Sequence, residues 1–258
     1  MSEDKVKKAL DFYKDGKYKE AIDAFSSVLE TEGDNAEIYN NIGLCYANLG
    51  DDEKAEKNYL KSQELNPKIP QVYINLADIY YKQKDMGSGI ELMTQGIYEL
   101  PDNLVFRHYL ARFYMEDAKL DLAIDELEHI LEKQPENYDV YYDLARVHFE
   151  LGNYDCAIEN FENVLEYKSE NPLLYYALAQ AYEANDEIDK AISNYLKTIA
   201  HNDAFSPAYK KVGILFFARG DFEDAIEYLE DYSKFDIPKE EALKVKDLVE
   251  RIKKRENA

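Results

Sequence analysis

Tryptophan is absent from the 258 residues of this chain, and cysteine, methionine and histidine are scarce, at two, four and four. Two cysteines are too few for a disulfide framework. Cys45 and Cys156 are also far apart in sequence, so both read as reduced, small packing residues. Among His108, His129, His148 and His201 no pair has a helical metal-ligand spacing. Glu126, His129 and Glu132 stand three apart, but in a chain with 53 acidic residues that spacing reads as a solvated face. Glycine-rich phosphate loops, nucleophile elbows and Cys/His constellations are missing as well. Basic charge is in deficit: 31 Lys and Arg against 53 Asp and Glu give a net charge of −22. Phosphate binding needs a basic footprint, so this balance argues against nucleic acid or an anionic membrane as the main partner. Apolar runs stay well short of a membrane span, and Met1-Ser2-Glu3-Asp4-Lys5 lacks the apolar core of a signal peptide. These absences point to a cytoplasmic protein that is not an enzyme and carries no cofactor or metal.

What the chain has is a repeat. Read in blocks of 34 residues from Ser2, seven blocks run to Lys239 without insertion or deletion: 2–35, 36–69, 70–103, 104–137, 138–171, 172–205 and 206–239. The eighth place holds Ala9, Gly43, Ala77, Ala111, Ala145, Ala179 and Gly213. The twentieth holds Ala21, Ala55, Gly89, Ala123, Ala157, Ala191 and Ala225. Large residues fill the eleventh place (Phe12, Tyr46, Tyr80, Tyr114, His148, Tyr182, Phe216) and the twenty-fourth (Phe25, Tyr59, Met93, Leu127, Phe161, Tyr195, Leu229). Small against large is the pattern of two helices in close approach, with bulky neighbours filling the remaining volume. Within a block, apolar residues recur at three and four, as at Tyr39, Ile42, Gly43 and Tyr46. A breaker such as Asp15-Gly16, Gly152-Asn153 or Gly220-Asp221 follows, and then a second helical run. Pro67, Pro101 and Pro135 close three of the second helices.

On this period and these columns the chain resembles the tetratricopeptide repeat (TPR) family over residues 2–239. The resemblance implies an all-α fold, an α-solenoid of seven helical hairpins wound into a right-handed superhelix, with the first helix of each hairpin lining the concave side. Two places depart from the family pattern. Lys5 and Arg107 replace the aromatic that stands as Tyr39, Tyr73, Tyr141, Tyr175 and Tyr209 in the other blocks. Lys8 likewise replaces an apolar residue; for the first block a wetted outer face accounts for both lysines, while Arg107 has no such reason. Residues 240–256 read as a capping helix, with Ala242, Val245, Leu248, Val249 and Ile252 as its apolar stripe and a basic last turn.

Function then belongs to the concave face. Its expected positions carry seven basic residues (Lys7, Lys14, Lys82, Arg112, Arg146, Lys210, Lys211) and eight acidic ones (Glu3, Glu37, Asp78, Glu116, Asp139, Asp143, Glu150, Glu183). That is a nearly neutral groove in an acidic body, suited to a protein or peptide partner. Tyr109, Tyr142, Phe149 and Tyr176, accompanied by His108, Arg112, Arg146 and Gln180, form its aromatic part in blocks four to six. Arg112 and Arg146 share one place in adjacent blocks. They are expected either to hold a partner's carboxylate or to pair with a groove acid such as Glu116, Asp143 or Glu150. Asn41 and Asn75 take the place where TPR asparagines often hold a ligand's main chain, with Asn40 and Asn48 beside them and Lys82 further along. The family's carboxylate clamp for chaperone C-termini is not reproduced: Val6 and Leu10 stand where it needs Lys and Asn, and only Asn41 matches. We therefore expect a scaffold or adaptor that binds a peptide or helix of a partner. Self-assembly through the terminal helix, giving a homo-oligomer, and a regulatory array acting through a separate effector are the alternatives. Gly87, Gly89 and Gly96 mark the third hairpin as the softest, a hinge between the blocks before and after it.

Overall fold

The computed structural model describes residues 2–167 and 169–256, with side chains from Asp4 to Arg255. Fifteen α-helices, and no strand, occur among the described residues. The chain forms two compact units, Met1–Pro135 and Glu136–Ala258.

In the first unit the helices are α1 (Ser2–Lys14), α2 (Tyr18–Glu32), α3 (Ala36–Asn48), α4 (Asp52–Leu65), α5 (Pro70–Gln83), α6 (Met86–Glu99), α7 (Leu104–Glu116) and α8 (Leu120–Lys133). The second unit has α9 (Tyr138–Glu150), α10 (Tyr154–Tyr167), α11 (Pro172–Ala184), α12 (Ile188–His201), α13 (Ser206–Arg219), α14 (Phe222–Tyr232) and α15 (Lys239–Glu256). Each odd helix up to α13 packs on the helix that follows it, as a hairpin.

The turns explain why the hairpins keep one length. At the fifteenth place of every block the backbone is left-handed: Gly16, Gly50, Gly152 and Gly220, but also Lys84, Ala118 and Asp186, with φ between 54° and 61° at the three non-glycines. The residue after each of them donates its N–H to the eleventh-place carbonyl, as Lys17 to Phe12, Lys119 to Tyr114 and Glu187 to Tyr182, all at 2.9 Å. This double closure of the last helical turn satisfies carbonyls that would otherwise be orphaned. Four first helices start from an asparagine whose side chain accepts a backbone N–H: Asn35 from Ile38, Asn103 from Val105, Asn137 from Val140 and Asn171 from Leu173. Pro67, Pro101 and Pro135 stand two residues beyond the ends of α4, α6 and α8.

All fourteen small-column residues are buried, and so is every twenty-fourth-place residue. The eleventh column fills less than expected. Tyr182 and Phe216 are buried, whereas Phe12, Tyr46, Tyr80, Tyr114 and His148 are only half-buried. Two glycines of α6 are seats for α7. A Cβ on Gly89 would lie 2.3 Å from the Phe113 ring, and one on Gly96 would lie 2.9 Å from Phe106. Gly87 meets only Asp85, and it belongs to the first turn of α6, where a glycine costs less than in a helix interior. The division into compact units falls after Pro135, one repeat beyond the third hairpin.

Arg107, unexplained by the repeat pattern, donates from Nη1 to Glu126 Oε2 on α8 at 2.6 Å, with both side chains about 20% exposed. Cys45 is buried and Cys156 is exposed; both are free thiols. The packing role expected of Cys156 does not hold, since it stands beside the Ala157 column on the outward side of α10. In the second unit α15 packs on α14, burying Val245, Val249 and Ile252, with Leu248 half-buried against the same core.

Candidate functional site

In the first unit the exposed positions of α1, α3, α5 and α7 satisfy one another to a large degree. Gln71 Nε2 donates to Asn75 Oδ1 at 2.8 Å, and Asn75 Nδ2 donates to Asn40 Oδ1 at 3.1 Å. Asn48 Nδ2 donates to the Leu44 carbonyl and to the Tyr13 hydroxyl, at 2.8 and 3.3 Å. Asn41 is half-buried, and its side chain makes no hydrogen bond among the described residues. Lys82 is bound to Asp52 at the start of α4 and is not an unpaired groove cation: its place adjoins the hairpin turn, within reach of the preceding repeat. The side chain of Glu3, expected among the groove acids, lies outside the described residues.

Arg112 has no carboxylate within salt-bridge distance among the described residues. Its guanidinium instead lies 4.9 Å from the Tyr81 ring and 5.7 Å from the Tyr109 ring, where the faces of both π-systems attract a cation. Both phenols are anchored on acids: Tyr81 donates to Glu116 at 2.8 Å and Tyr109 to Asp78 at 3.0 Å. Burial and the Asp78 charge push the Tyr109 phenol up to about 12. The Tyr81 phenol is raised by burial and by its bond to Glu116, against the opposing pull of Arg112. His108 is half-buried on the same helix.

The second unit presents a cavity of about 220 Å³ lined by Tyr142, Arg146, Phe149 and Glu150 of α9, Phe161 of α10, and Ala177 and Gln180 of α11. Four of the residues chosen from sequence thus converge: Tyr142, Arg146, Phe149 and Gln180. The Tyr142 and Phe161 rings meet edge to face at 5.7 Å, and Phe149 packs on Tyr154 at 5.5 Å. Arg146 Nη1 approaches Asp143 Oδ1 at 3.6 Å, an ion pair beyond hydrogen-bond range. Tyr176 is outside this lining. Its ring packs on Tyr195 at 5.3 Å and on Phe205 at 5.0 Å, and burial raises its phenol. Further along the unit, Glu183 accepts from Lys211 at 2.8 Å and from the buried Tyr195 at 2.6 Å. Lys210 and Tyr232 share Glu241 of α15, at 2.5 and 2.7 Å.

Arg112 and Arg146, alike in sequence place, therefore stand in different units and different surroundings: one between two rings, the other beside Asp143. Three contributors escaped the sequence reading. Tyr81 takes the same place in its block as Phe149, which was a usable signal. Phe161 belongs to the buried column yet borders the cavity, and Ala177 opens it by being small; neither could be recognised without the packing. Glu126, His129 and Glu132 do not converge: Glu126 is engaged by Arg107, and His129 stands 3.9 Å from Glu132. No group of three or more metal-ligating side chains occurs among the described residues, and none of the described helices is long and apolar enough to cross a membrane.

Tetratricopeptide repeat profiles match residues 36–69, 70–103, 114–159 and 142–207, and a further TPR profile matches 9–50. The photosystem I assembly protein Ycf3 of Rippkaea orientalis is 36% identical over 107 residues, 37% of this chain and 62% of that protein. Ycf3 of Cyanophora paradoxa is 32% identical over 124 residues, 44% and 67% of the two chains. The Hsp70-Hsp90 organizing protein 3 of Arabidopsis thaliana is 26% identical over half of this chain, which spans 24% of that protein. Among solved structures, the C-terminal part of a TPR repeat-containing protein from Cytophaga hutchinsonii superposes with a TM-score of 0.79 at 19% identity, over 93% of this chain and 98% of that one. YrrB, described as a TPR protein with an unusual peptide-binding site, gives 0.62 at 17% identity over 73% and 97%. These structures share the helical-solenoid fold with it. The chain belongs to the tetratricopeptide repeat family.

Proposed function

We propose that this chain is a cytoplasmic, non-catalytic adaptor that holds a peptide or helical segment of a partner protein on the first-helix faces of its repeats. In this reading residues 2–239 act as seven tandem repeats and 240–256 as their cap. One observation carries it: four side chains chosen as a binding face from sequence line an open cavity in the second unit. Large aromatic and Arg side chains around such a hollow suit a protein interface. The similarity to proteins named for photosystem I assembly and for Hsp70-Hsp90 organisation supports a role in bringing proteins together. Capture from native lysate tests it, comparing the natural chain with the Ala177→Phe variant, whose new ring fills the cavity. A protein partner retained by the first and lost by the second, at unchanged helicity, is the expected result; equal retention by both refutes the face.

A second reading, self-association through the terminal helix, is favoured by one feature. A cavity of about 480 Å³ opens between α13, α14 and α15, lined by Ile214, Leu229, Val245 and Leu248, and Leu243 nearby is 68% exposed. Sedimentation of the full chain and of a chain ending at Lys239 separates the two readings. Mass that rises with concentration only in the full chain selects self-assembly.

A further inference from the structure

The cavity of the second unit is particular enough in size and lining to define what enters it. At about 220 Å³ it is smaller than the ~300–1,000 Å³ typical of sites for whole small molecules. It is larger than the ~150 Å³ hollow that accepts a benzene ring. One aromatic side chain is the occupant of matching size. Three of the lining residues, Tyr142, Phe149 and Phe161, are themselves aromatic, and Tyr142 and Phe161 already meet edge to face. An inserted ring gains the same edge and face contacts in addition to the area it buries.

The rim adds a charge preference. Glu150 is exposed and has no cation within salt-bridge range among the described residues. Gln180 is half-buried and makes no hydrogen bond among them, so its amide is available to a main chain. The rim's cation, Arg146, lies 3.6 Å from Asp143, outside the lining, which leaves Glu150 as the acid on the rim itself. The second unit as a whole, residues 136–258, holds 26 acidic and 15 basic residues, a net charge of −11. Such a field attracts a cationic segment and repels an acidic one.

Resting on the adaptor reading above, we infer that the cavity seats one aromatic side chain of a partner segment whose adjacent residues are Lys or Arg. Glu150 holds the neighbouring cation and Gln180 bonds the segment's main chain. The ring supplies the anchor; the cations supply the selection.

Three blocked synthetic heptapeptides test this. Their centres are Lys-Phe-Lys, Lys-Ala-Lys and Glu-Phe-Glu in a Gly/Ser frame, each titrated into the full ¹⁵N-labelled chain at low and at physiological salt. Lys-Phe-Lys is expected to move the amide signals of residues 142–150 and 177–180 with at least tenfold higher affinity than either other peptide. Ala177→Phe, which fills the hollow, is expected to abolish that binding. Glu150→Lys, an exposed change that leaves the fold alone, is expected to turn the preference toward Glu-Phe-Glu. Lys-Ala-Lys binding as well as Lys-Phe-Lys overturns the aromatic anchor, and an unchanged preference in Glu150→Lys overturns the charge selection. If lysate partners are lost from Ala177→Phe while Lys-Phe-Lys fails to bind the natural chain, the adaptor reading stands and the occupant's chemistry falls. If neither partner nor peptide binds, both fall.

Discussion

Phe113 occupies the space that a side chain on Gly89 would need: a Cβ there would sit 2.3 Å from the Phe113 ring edge. In the other repeats that column holds Ala, and the residue at Phe113's place in the next block is the smaller Cys45, Ile79, Val147, Ala181 or Leu215. Gly89→Ala is therefore expected to destabilise by about 1–3 kcal/mol, the cost of overpacking a filled core. Adding Phe113→Leu should recover most of it, since the same column then has the pairing used elsewhere in the chain. Urea unfolding of the two variants checks both signs. Gly87→Ala, whose Cβ would make only an ordinary contact with Asp85 at 3.7 Å, should instead stabilise by roughly 0.5 kcal/mol through helix propensity.

The left-handed turn position gives a prediction of opposite sign at equivalent sites. Ala118 and Lys84 adopt φ of 54° and 60°, a region that costs a non-glycine residue roughly 1–2 kcal/mol. Ala118→Gly relieves that cost but loosens the unfolded chain, leaving a net gain of up to ~1 kcal/mol. Gly152→Ala, at the place where four of the seven turns have glycine, should lose about 1 kcal/mol. Thermal unfolding of the pair is the check, and a same-sign result would break the argument.

Arg107 and Glu126 form a largely buried ion pair that replaces a tyrosine column. Removing Arg107 strands Glu126 in a half-dry setting, while removing both charges strands nothing. Arg107→Ala is expected to cost about 2 kcal/mol, below the ~3–5 of a fully buried pair because both side chains keep some water. Arg107→Leu/Glu126→Leu should return to within about 1 kcal/mol of the natural chain. A double variant as unstable as the single one would show that the bridge, rather than the stranded charge, decides.

Much of the fold was legible because the requirement for Ala or Gly acts at one place at a time. Ala9, Ala21 and their equivalents report close helix approach whatever stands elsewhere. The site was legible only in part, because exposed positions choose partners across repeats. Asn40 and Asn75 are both expected on the groove by sequence place, yet they share a hydrogen bond since equivalent faces of adjacent repeats touch. The helical phase of Lys82 points to the groove, but its long side chain reaches Asp52. Arg107 had no visible reason until Glu126, on the other helix of its hairpin, was seen beside it. The Phe161 column is defined by burial, and no periodicity distinguishes a ring that is merely buried from one that also borders a hollow.

The two thiols should behave as different reagents. Cys45 is fully buried in the core of the first hairpins, and burial pushes its thiol up to about 11, whereas Cys156 is exposed. A thiolate is the reactive form, so a disulfide reagent at pH 8 is expected to titrate one thiol quickly in the native chain and a second only on unfolding. Cys156→Ser should remove the fast phase and Cys45→Ala the slow one. The same difference has a consequence for stability. An unfolded thiol ionises near ~8.5, and the folded state resists that ionisation. The stabilising contribution of Cys45 is therefore intact below that pH and is lost as pH rises toward about 11, because the unfolded state releases its proton first. Unfolding curves between pH 7 and 11 should fall more steeply for the natural chain than for Cys45→Ala. Parallel curves would place the alkaline loss on the tyrosines instead, of which Tyr109 is held up to about 12 by burial and Asp78.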